Sequence, residues 1–479
     1  MSIHDKPLVR RDFLRGALAA AVALPLAGTV ASCAGSGSGG GDGGTTGAAG
    51  GGGPTAKTSA KNPFGMPKGS TVDAVIFNGG YGIDYAKFAG SVVEKQQAGS
   101  TVKVSPSTKI AQELQPRFVG GNPPDVIDDS GADKIGIASV LDQLEDLTEV
   151  IDAKNLEGKV IKDTLYPGVL APGTFGDKLA AINYVLTVYA IWYSQSLFDQ
   201  HGWTVPKTWD EAIDLGAQAK KEGKYLFCWG KEAATYYLTL AIGSAIKEGG
   251  DEVRLALDNL KPKCWSHPAV QDVLTALERI IKAGYFKPGG AGTQFTAAQA
   301  QWSNAQEAIL YPSGGWIENE MKKETKAGFK MTGAPTPTVT SNSTMPYKAL
   351  HSAAAEAYIV PSKAKNPAGG KEFLRAMLSK DAASNFAKQI LSSTVVKDTV
   401  PADGFGSTAL VSQTKMLEAA GTDVFTWGFV DFYGMNQDLL VLWNTFLSGK
   451  SDVPTLTKAM QQMTDKIRED DTIKKAQVK

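Results

Sequence analysis

The stretch VDAVIFN, Val72 to Asn78, is rich in β-branched and aromatic residues and stops at Gly79-Gly80. That is the signature of a strand closed by a turn. A polar, helix-like segment follows, and then TVKVS, Thr101 to Ser105. KIAQELQPRFVGGNP (109–123) is the next helical stretch, and PDVIDD (124–129) a third apolar run. The order β-α-β-α-β predicts parallel strands joined by helical crossovers.

Further along, helices dominate. Thr208-Trp209-Asp210-Glu211 reads as a capping box, in which the Thr hydroxyl takes the N3 amide while Glu211 reaches back. Gly223 closes that helix. Ser266 and Pro268 open another, whose Val273, Leu274, Leu277, Ile280 and Ile281 form one apolar stripe before Gly284. GGKEFLRAMLSKDAASNFAKQI (369–390) reads as a third helix, with Phe373, Leu374, Met377 and Leu378 on one face. These stripes belong to the core. Pro335 to Pro346, PTPTVTSNSTMP, reads as a loop or crossover.

Ahead of this body stands Arg10-Arg11-Asp12-Phe13-Leu14-Arg15, then an apolar segment from Ala17 to Val30. The segment is short of the ~20 apolar residues of a membrane span. Its layout is that of an export signal, and the paired Arg10 and Arg11 resemble a twin-arginine signal. Val30-Ala31-Ser32-Cys33 resembles a lipobox, which makes Cys33 the expected lipid-bearing residue. Ala34 to Lys61 is Gly-, Ser-, Thr- and Ala-rich and reads as a flexible tether, spanning roughly 30 Å as a coil.

About 415 residues remain from Gly65 onward, enough for two lobes. The 49 basic and 49 acidic side chains balance, which argues against a nucleic-acid footprint. The four histidines, His4, His201, His267 and His351, are too far apart in sequence for a metal-ligand motif. The chain carries no Walker-type phosphate loop and no G-x-S-x-G elbow. Asp128 and Asp129 are adjacent, so on a strand they point to opposite faces and make a poor acid/base pair. No cofactor or metal is expected and the chain is not read as an enzyme. Outside the cytoplasm, Cys228 and Cys264 form either a disulfide or two buried thiols, and spacing does not decide between them.

The segment GDKLAAINYVLTVYAIWYSQSLFDQHGWTVPKTWDE (176–211) resembles extracellular solute-binding proteins of the family 1 type, the receptors of carbohydrate ABC importers. The supporting motifs run in order: Phe77-Asn78-Gly79-Gly80, GGNPPDV, Trp192-Tyr193-Ser194, PKTWDE, AILYPSGGW, AAAEAYIVPSKAKNP and KEFLRAMLSKDA. The resemblance covers essentially everything from Asn62 onward. Phrases such as VIFNGGYG, QPRFVGGNPPD, SGGWIENE and STVVK resemble the actinobacterial branch that takes N-acetylglucosamine and its β-1,4-linked dimer. That branch carries Asn-Asn-Ser-Gly where this chain has Asp128-Asp129-Ser130-Gly131.

The resemblance implies an α/β, two-lobed, periplasmic-binding-protein-like (Venus flytrap) fold with several interlobe crossovers. By motif order one lobe is residues 66–187 plus 335–395, and the other 188–334 plus 396–479. Ligand is expected in the cleft between them. It also implies a monomer anchored by lipid to the outer face of the cytoplasmic membrane, handing sugar to membrane permease subunits. The alternatives are the same fold with a maltose, cellobiose or xylobiose type of sugar, or a secreted enzyme.

A pyranose has flat apolar C–H faces and a rim of hydroxyls. Its site needs aromatic plates and planar polar side chains. Trp316, after Ser313-Gly314-Gly315, is the first expected plate. Trp427 in VFTWGFVDFY is the second, although Phe425, Phe429, Phe432 and Tyr433 are alternatives in the same stretch, and Tyr433 is retained as a candidate. Tyr236 and Tyr237 match an aromatic contact of maltose-type receptors. Asn78, Gly80 and Tyr81 follow the first strand at the carboxyl edge of a parallel sheet, where α/β ligands gather. Asp129 and Ser130 end the third strand. Asn183 and Glu318 complete the list. Trp192 and Tyr193 are expected to pack at the hinge.

Overall fold

The computed structural model describes residues 56–479, apart from 80, 132, 133, 472, 474 and 479. The expected export signal at Arg10 and Arg11, the expected anchor Cys33, most of the expected tether and the candidate Gly80 lie outside the described residues.

The first three strands form as expected. β1 (Thr71–Phe77), β2 (Thr101–Ser107) and β3 (Val126–Asp128) are parallel, with Thr71 opposite Thr101 and Ala74 opposite Val126. Helices Asp84–Gln96 and Ile110–Val119 make the crossovers, burying Ala86, Ala89 and Val93 from the first and Ile110, Leu114 and Phe118 from the second. A small hairpin of β4 (Thr174–Phe175) and β5 (Lys178–Leu179) leads into β6 (Ile182–Ser194). Then come β7 (Tyr225–Phe227), β8 (Ala308–Gly314), β9 (Met331–Ala334), β10 (Leu350–Ile359), β11 (Ser393–Thr394) and β12 (Val424–Phe425).

The sheet runs β2-β1-β3-β10-β6-β8-β7, with β9 and β11 also on β6 and β12 on β10. β6 is the strand that joins its two halves. Its first part, from Ile182 to Val188, pairs antiparallel with β10. Its second part, from Tyr189 to Ser194, pairs with β8 and β9. One apolar core gathers Val72, Ile76, Val126, Tyr184, Tyr358, Phe373 and Phe386. A second gathers Trp209, Phe227, Trp265, Leu277, Trp443 and Phe446. This mixed sheet with helices packed around it is the two-lobed α/β periplasmic-binding-protein-like fold.

The crossover from β9 back to β10 (335–349) contains no helix or strand. It is tied to helix Thr235–Gly249 by buried polar contacts. Lys247 Nζ donates to the carbonyls of Thr336 and Tyr347, both at 2.6 Å. Ser244 accepts from Trp209 Nε1 at 2.8 Å and donates to the Pro337 carbonyl at 2.7 Å. Burial among carbonyls, with no carboxylate partner, pulls the Lys247 pKa down to about 7.

The Thr208 hydroxyl accepts from the Glu211 amide, and Glu211 Oε2 reaches back to accept from the Lys207 amide. Two sequence expectations are corrected in detail. Helix Pro268–Lys282 is capped by His267 Nδ1 rather than opened by Ser266. The stretch 369–390 is not one helix. It is split into Pro367–Met377 and Lys380–Ile390 at Ser379, whose hydroxyl accepts from the Ala382 amide and so starts the second helix. Phe373, Leu374, Met377 and Leu378 are all buried nonetheless.

Cys228 and Cys264 are both free and buried, and burial pushes each thiol up to about 12. Among the described residues, no helix is long and apolar enough to cross a membrane, and no group of His, Cys, Asp or Glu is arranged to hold a metal ion.

Candidate ligand-binding site

Trp316 sits directly after β8, where the chain turns into the short helix Ile317–Met321. The glycines before it are there for close approach. A Cβ on Gly314 would lie 2.0 Å from the Trp316 ring, and one on Gly315 would lie 2.1 Å from Gln413 Oε1. The indole is half-buried and meets two tyrosines edge-on. Tyr189 of β6 lies 5.8 Å away at 87° and Tyr236 of helix Thr235–Gly249 lies 6.0 Å away at 65°. Burial, reinforced by Glu320, pushes the Tyr236 phenol up to about 12, so it stays neutral and able to donate.

The aromatic surface continues onto β10. His351 stacks on Tyr189 with ring centres 4.3 Å apart, and Trp427 stacks on His351 at 5.2 Å. Phe425 and Phe429 extend the stack at 5.8 Å from His351 and 5.1 Å from Trp427. The His351 pKa falls to about 3 because the ring is fully buried, so the imidazole is neutral. Its Nδ1 and the Trp427 Nε1 are buried without a protein partner. Trp316, Tyr236 and Trp427, distant in sequence, thus fall in one cluster where β6 crosses between the halves. Tyr189 and His351, missing from the sequence list, link them. Only the strand register brings these two rings together, and a single sequence does not display register.

Beneath this cluster is a small cavity of about 20 Å³, lined by Tyr189, Ala190, Tyr236, Thr239, Leu240, Pro312, Ser313, Gly314 and Thr336.

The polar residues of the first half cluster on their own side. Tyr81 is half-buried, with Thr187, Ser392 and Glu356 around its hydroxyl. Ser130 donates to Asp128 Oδ1 at 2.5 Å, and Asp128 also faces the hydroxyls of Tyr85 and Tyr358, each at 3.3 Å. Glu356 lies next to Ser130 and has φ +57 inside β10, a left-handed backbone rare for glutamate. Burial raises both carboxyls above their ordinary range, and their mutual repulsion raises Asp128 further. Asp129 points the other way, as strand alternation requires. Its Oδ1 accepts from the Ile135 amide at 2.7 Å, its Oδ2 has no partner, and burial pushes it up to about 6. Glu356 is another residue the sequence reading missed, since nothing in AAAEA announces the positive φ.

The remaining candidates have structural partners. Asn78 is exposed, with its amide on the Ser107 carbonyl. Asn183 Nδ2 donates to the Ala354 carbonyl at 3.0 Å, while its Oδ1 has no partner. Glu318 accepts from the Ser407 hydroxyl. Two expectations are corrected. Tyr237 lies in the second core against Phe227 and Phe286, with its hydroxyl donating to the Cys228 carbonyl at 2.6 Å. Adjacent helical positions point about 100° apart, so only Tyr236 of the pair reaches the aromatic cluster. Tyr433 donates to the Asp258 carbonyl and accepts from the Ala476 amide, which ties down the C-terminal segment instead. Trp192 is fully buried, its Nε1 donating to the Ser313 carbonyl at 3.0 Å.

Comparison with known proteins places this geometry. The family model described as bacterial extracellular solute-binding protein matches residues 66–384. Over 478 residues, covering 100% of both chains, the sequence is 58% identical to the diacetylchitobiose binding protein NgcE of Streptomyces coelicolor. Among solved structures, the fold is similar to a chitin oligosaccharide binding protein, with a TM-score of 0.64 at 17% identity, covering 81% of this chain and 96% of that one. It is likewise similar to the binding protein RafE in complex with raffinose, with a TM-score of 0.63 at 19% identity over 82% and 99% of the chains. The chain belongs to the bacterial extracellular solute-binding protein family.

Proposed function

We propose that this protein is the extracytoplasmic receptor of a carbohydrate ABC importer and binds N-acetylglucosamine and N,N′-diacetylchitobiose. The observation that carries the reading is the cluster of Trp316, Tyr236, Tyr189, His351 and Trp427 at the crossing of β6. Within it the half-buried Trp316 and Tyr236 offer flat apolar surface for pyranose faces, backed by the stacked Tyr189, His351 and Trp427, with the hydroxyls and carboxyls around Tyr81 and Glu356 for the rim. The full-length likeness to a diacetylchitobiose binding protein supports the choice of sugar.

In this reading no bond is made or broken. Residues 66–187 with 335–395 form one lobe and 188–334 with 396–479 the other. Sugar bridges them and favours the closed form by its differential affinity. The closed receptor, a monomer, then docks on permease subunits. Cys33 carries the lipid, and the tether keeps the receptor near them, raising effective concentration. The anchor is tested by Cys33→Ala, which should release the protein from membranes; a membrane-bound variant of mature mass contradicts the lipobox.

The receptor role is tested by thermal unfolding and solution scattering. Diacetylchitobiose at 100 times its dissociation constant should stabilise the fold by about 2.7 kcal/mol and reduce the radius of gyration. An unchanged melting temperature at millimolar sugar contradicts the assignment, and binding without compaction contradicts lobe closure.

A further inference from the structure

We infer that the cavity beside Trp316 is an acetamido pocket: Ala190, Leu240 and Pro312 take the methyl, and the Ser313 hydroxyl donates to the amide carbonyl. The inference rests on the amino-sugar reading above and names the residues that read the N-acetyl group.

Three observations carry it. First, the cavity has only about 20 Å³ of open volume, room for one group of water or methyl size and far below what a whole ligand needs. It suits a substituent projecting from a sugar held at its mouth. Second, its walls are mostly apolar, yet Ser313 among them is 5% exposed and its Oγ has no hydrogen-bond partner. A buried hydroxyl without a partner loses its hydration and gains nothing in return. Third, two lining residues also hold the expected sugar plate. Tyr236 meets the Trp316 ring edge-on, and Gly314 lies directly against it. A sugar ring placed on Trp316 therefore has the cavity within reach of its substituents.

The chemistry of the lining selects the group. A sugar hydroxyl would answer Ser313 but waste the apolar wall. A methyl alone would fill the wall and leave Ser313 unpaired. An acetamido group does both, with an acceptor oxygen and a methyl on the same carbon. Glucose and cellobiose carry only a hydroxyl at that position. They leave the apolar wall unfilled and at best satisfy Ser313, so discrimination follows from what the pocket offers.

The test is titration calorimetry of wild type, Ser313→Ala and Ala190→Val with diacetylchitobiose, together with ligand-free melting temperatures. Ser313→Ala should bind about 10-fold more weakly. Its ligand-free melting temperature should be unchanged or higher, because the hydroxyl it loses has no partner to leave behind. A merely structural serine would lower that temperature instead. Ala190→Val narrows the same wall from the neighbouring strand and should also weaken binding. Wild-type affinity in Ser313→Ala would mean that the cavity holds water alone and would overturn the pocket. Wild type that binds no N-acetylated sugar would overturn the receptor reading, and the pocket with it.

Discussion

Trp316→Ala is expected to weaken diacetylchitobiose binding by about 2–4 kcal/mol, the scale of an aromatic hot spot, which is roughly 30-fold to nearly 1,000-fold. The indole is half-buried, packs against Gly314, where a side chain would clash with its ring, and meets Tyr189 and Tyr236 edge-on. It packs against Gly314 of the cavity lining and belongs to neither apolar core. Its loss should therefore remove ligand contact while costing the ligand-free fold little. A core indole such as Trp443, fully buried, would behave oppositely, losing ~3–5 kcal/mol of stability on truncation to Ala. Calorimetry and thermal unfolding of the same preparation separate the two. Large destabilisation with unchanged affinity would place Trp316 in the core.

His351→Phe is expected to remove an acid lability. The imidazole titrates near 6.5 in the unfolded chain and near 3 in the folded one, because burial against Tyr189, Phe425 and Trp427 disfavours its charged form. The folded pKa is depressed, so the contribution is fully present above pH 6.5 and is lost as pH falls toward 3. At pH 4.5 the unfolded chain takes up a proton the folded one refuses. The cost is about 2.7 kcal/mol for two pH units. Phenylalanine keeps a ring in the stack, and the replaced Nδ1 has no protein partner to orphan. Urea unfolding at pH 7 and pH 4.5 should show a smaller acid loss in the variant by about that amount. Equal losses in both proteins would mean that His351 protonates freely in the folded state.

What could be read before the structure divides along physical lines. β1 to β3 were legible because β-branched runs bounded by glycine report local preference, and parallel crossovers follow from their order. The break at Ser379 was also in principle legible, since Ser379-Lys380-Asp381 is a competent helix start. The continuous apolar stripe through Leu378 concealed it. The tight turn that carries Trp316 was legible from its glycines. Tyr189, His351 and Glu356 were not. The first two meet only through the register of β6 against β10, and the third stands out only by its positive φ. Tyr236 and Tyr237 were indistinguishable in sequence because which of two neighbours faces inward depends on how the helix is rotated against β8. Tyr433 was misassigned because its partners, Asp258 and Ala476, are remote in sequence.

The most direct test of function is whether the protein distinguishes N-acetylated from plain sugars. Diacetylchitobiose and cellobiose share a β-1,4-linked glucose backbone and differ in having an acetamido group or a hydroxyl at each ring's second carbon. Titrating both into the same protein isolates that difference. Diacetylchitobiose should bind tightly and cellobiose at least about 100-fold more weakly, the scale at which groups built to be paired are left unpaired. Equal affinity for the two, or tight cellobiose binding with no heat from diacetylchitobiose, would contradict the amino-sugar reading.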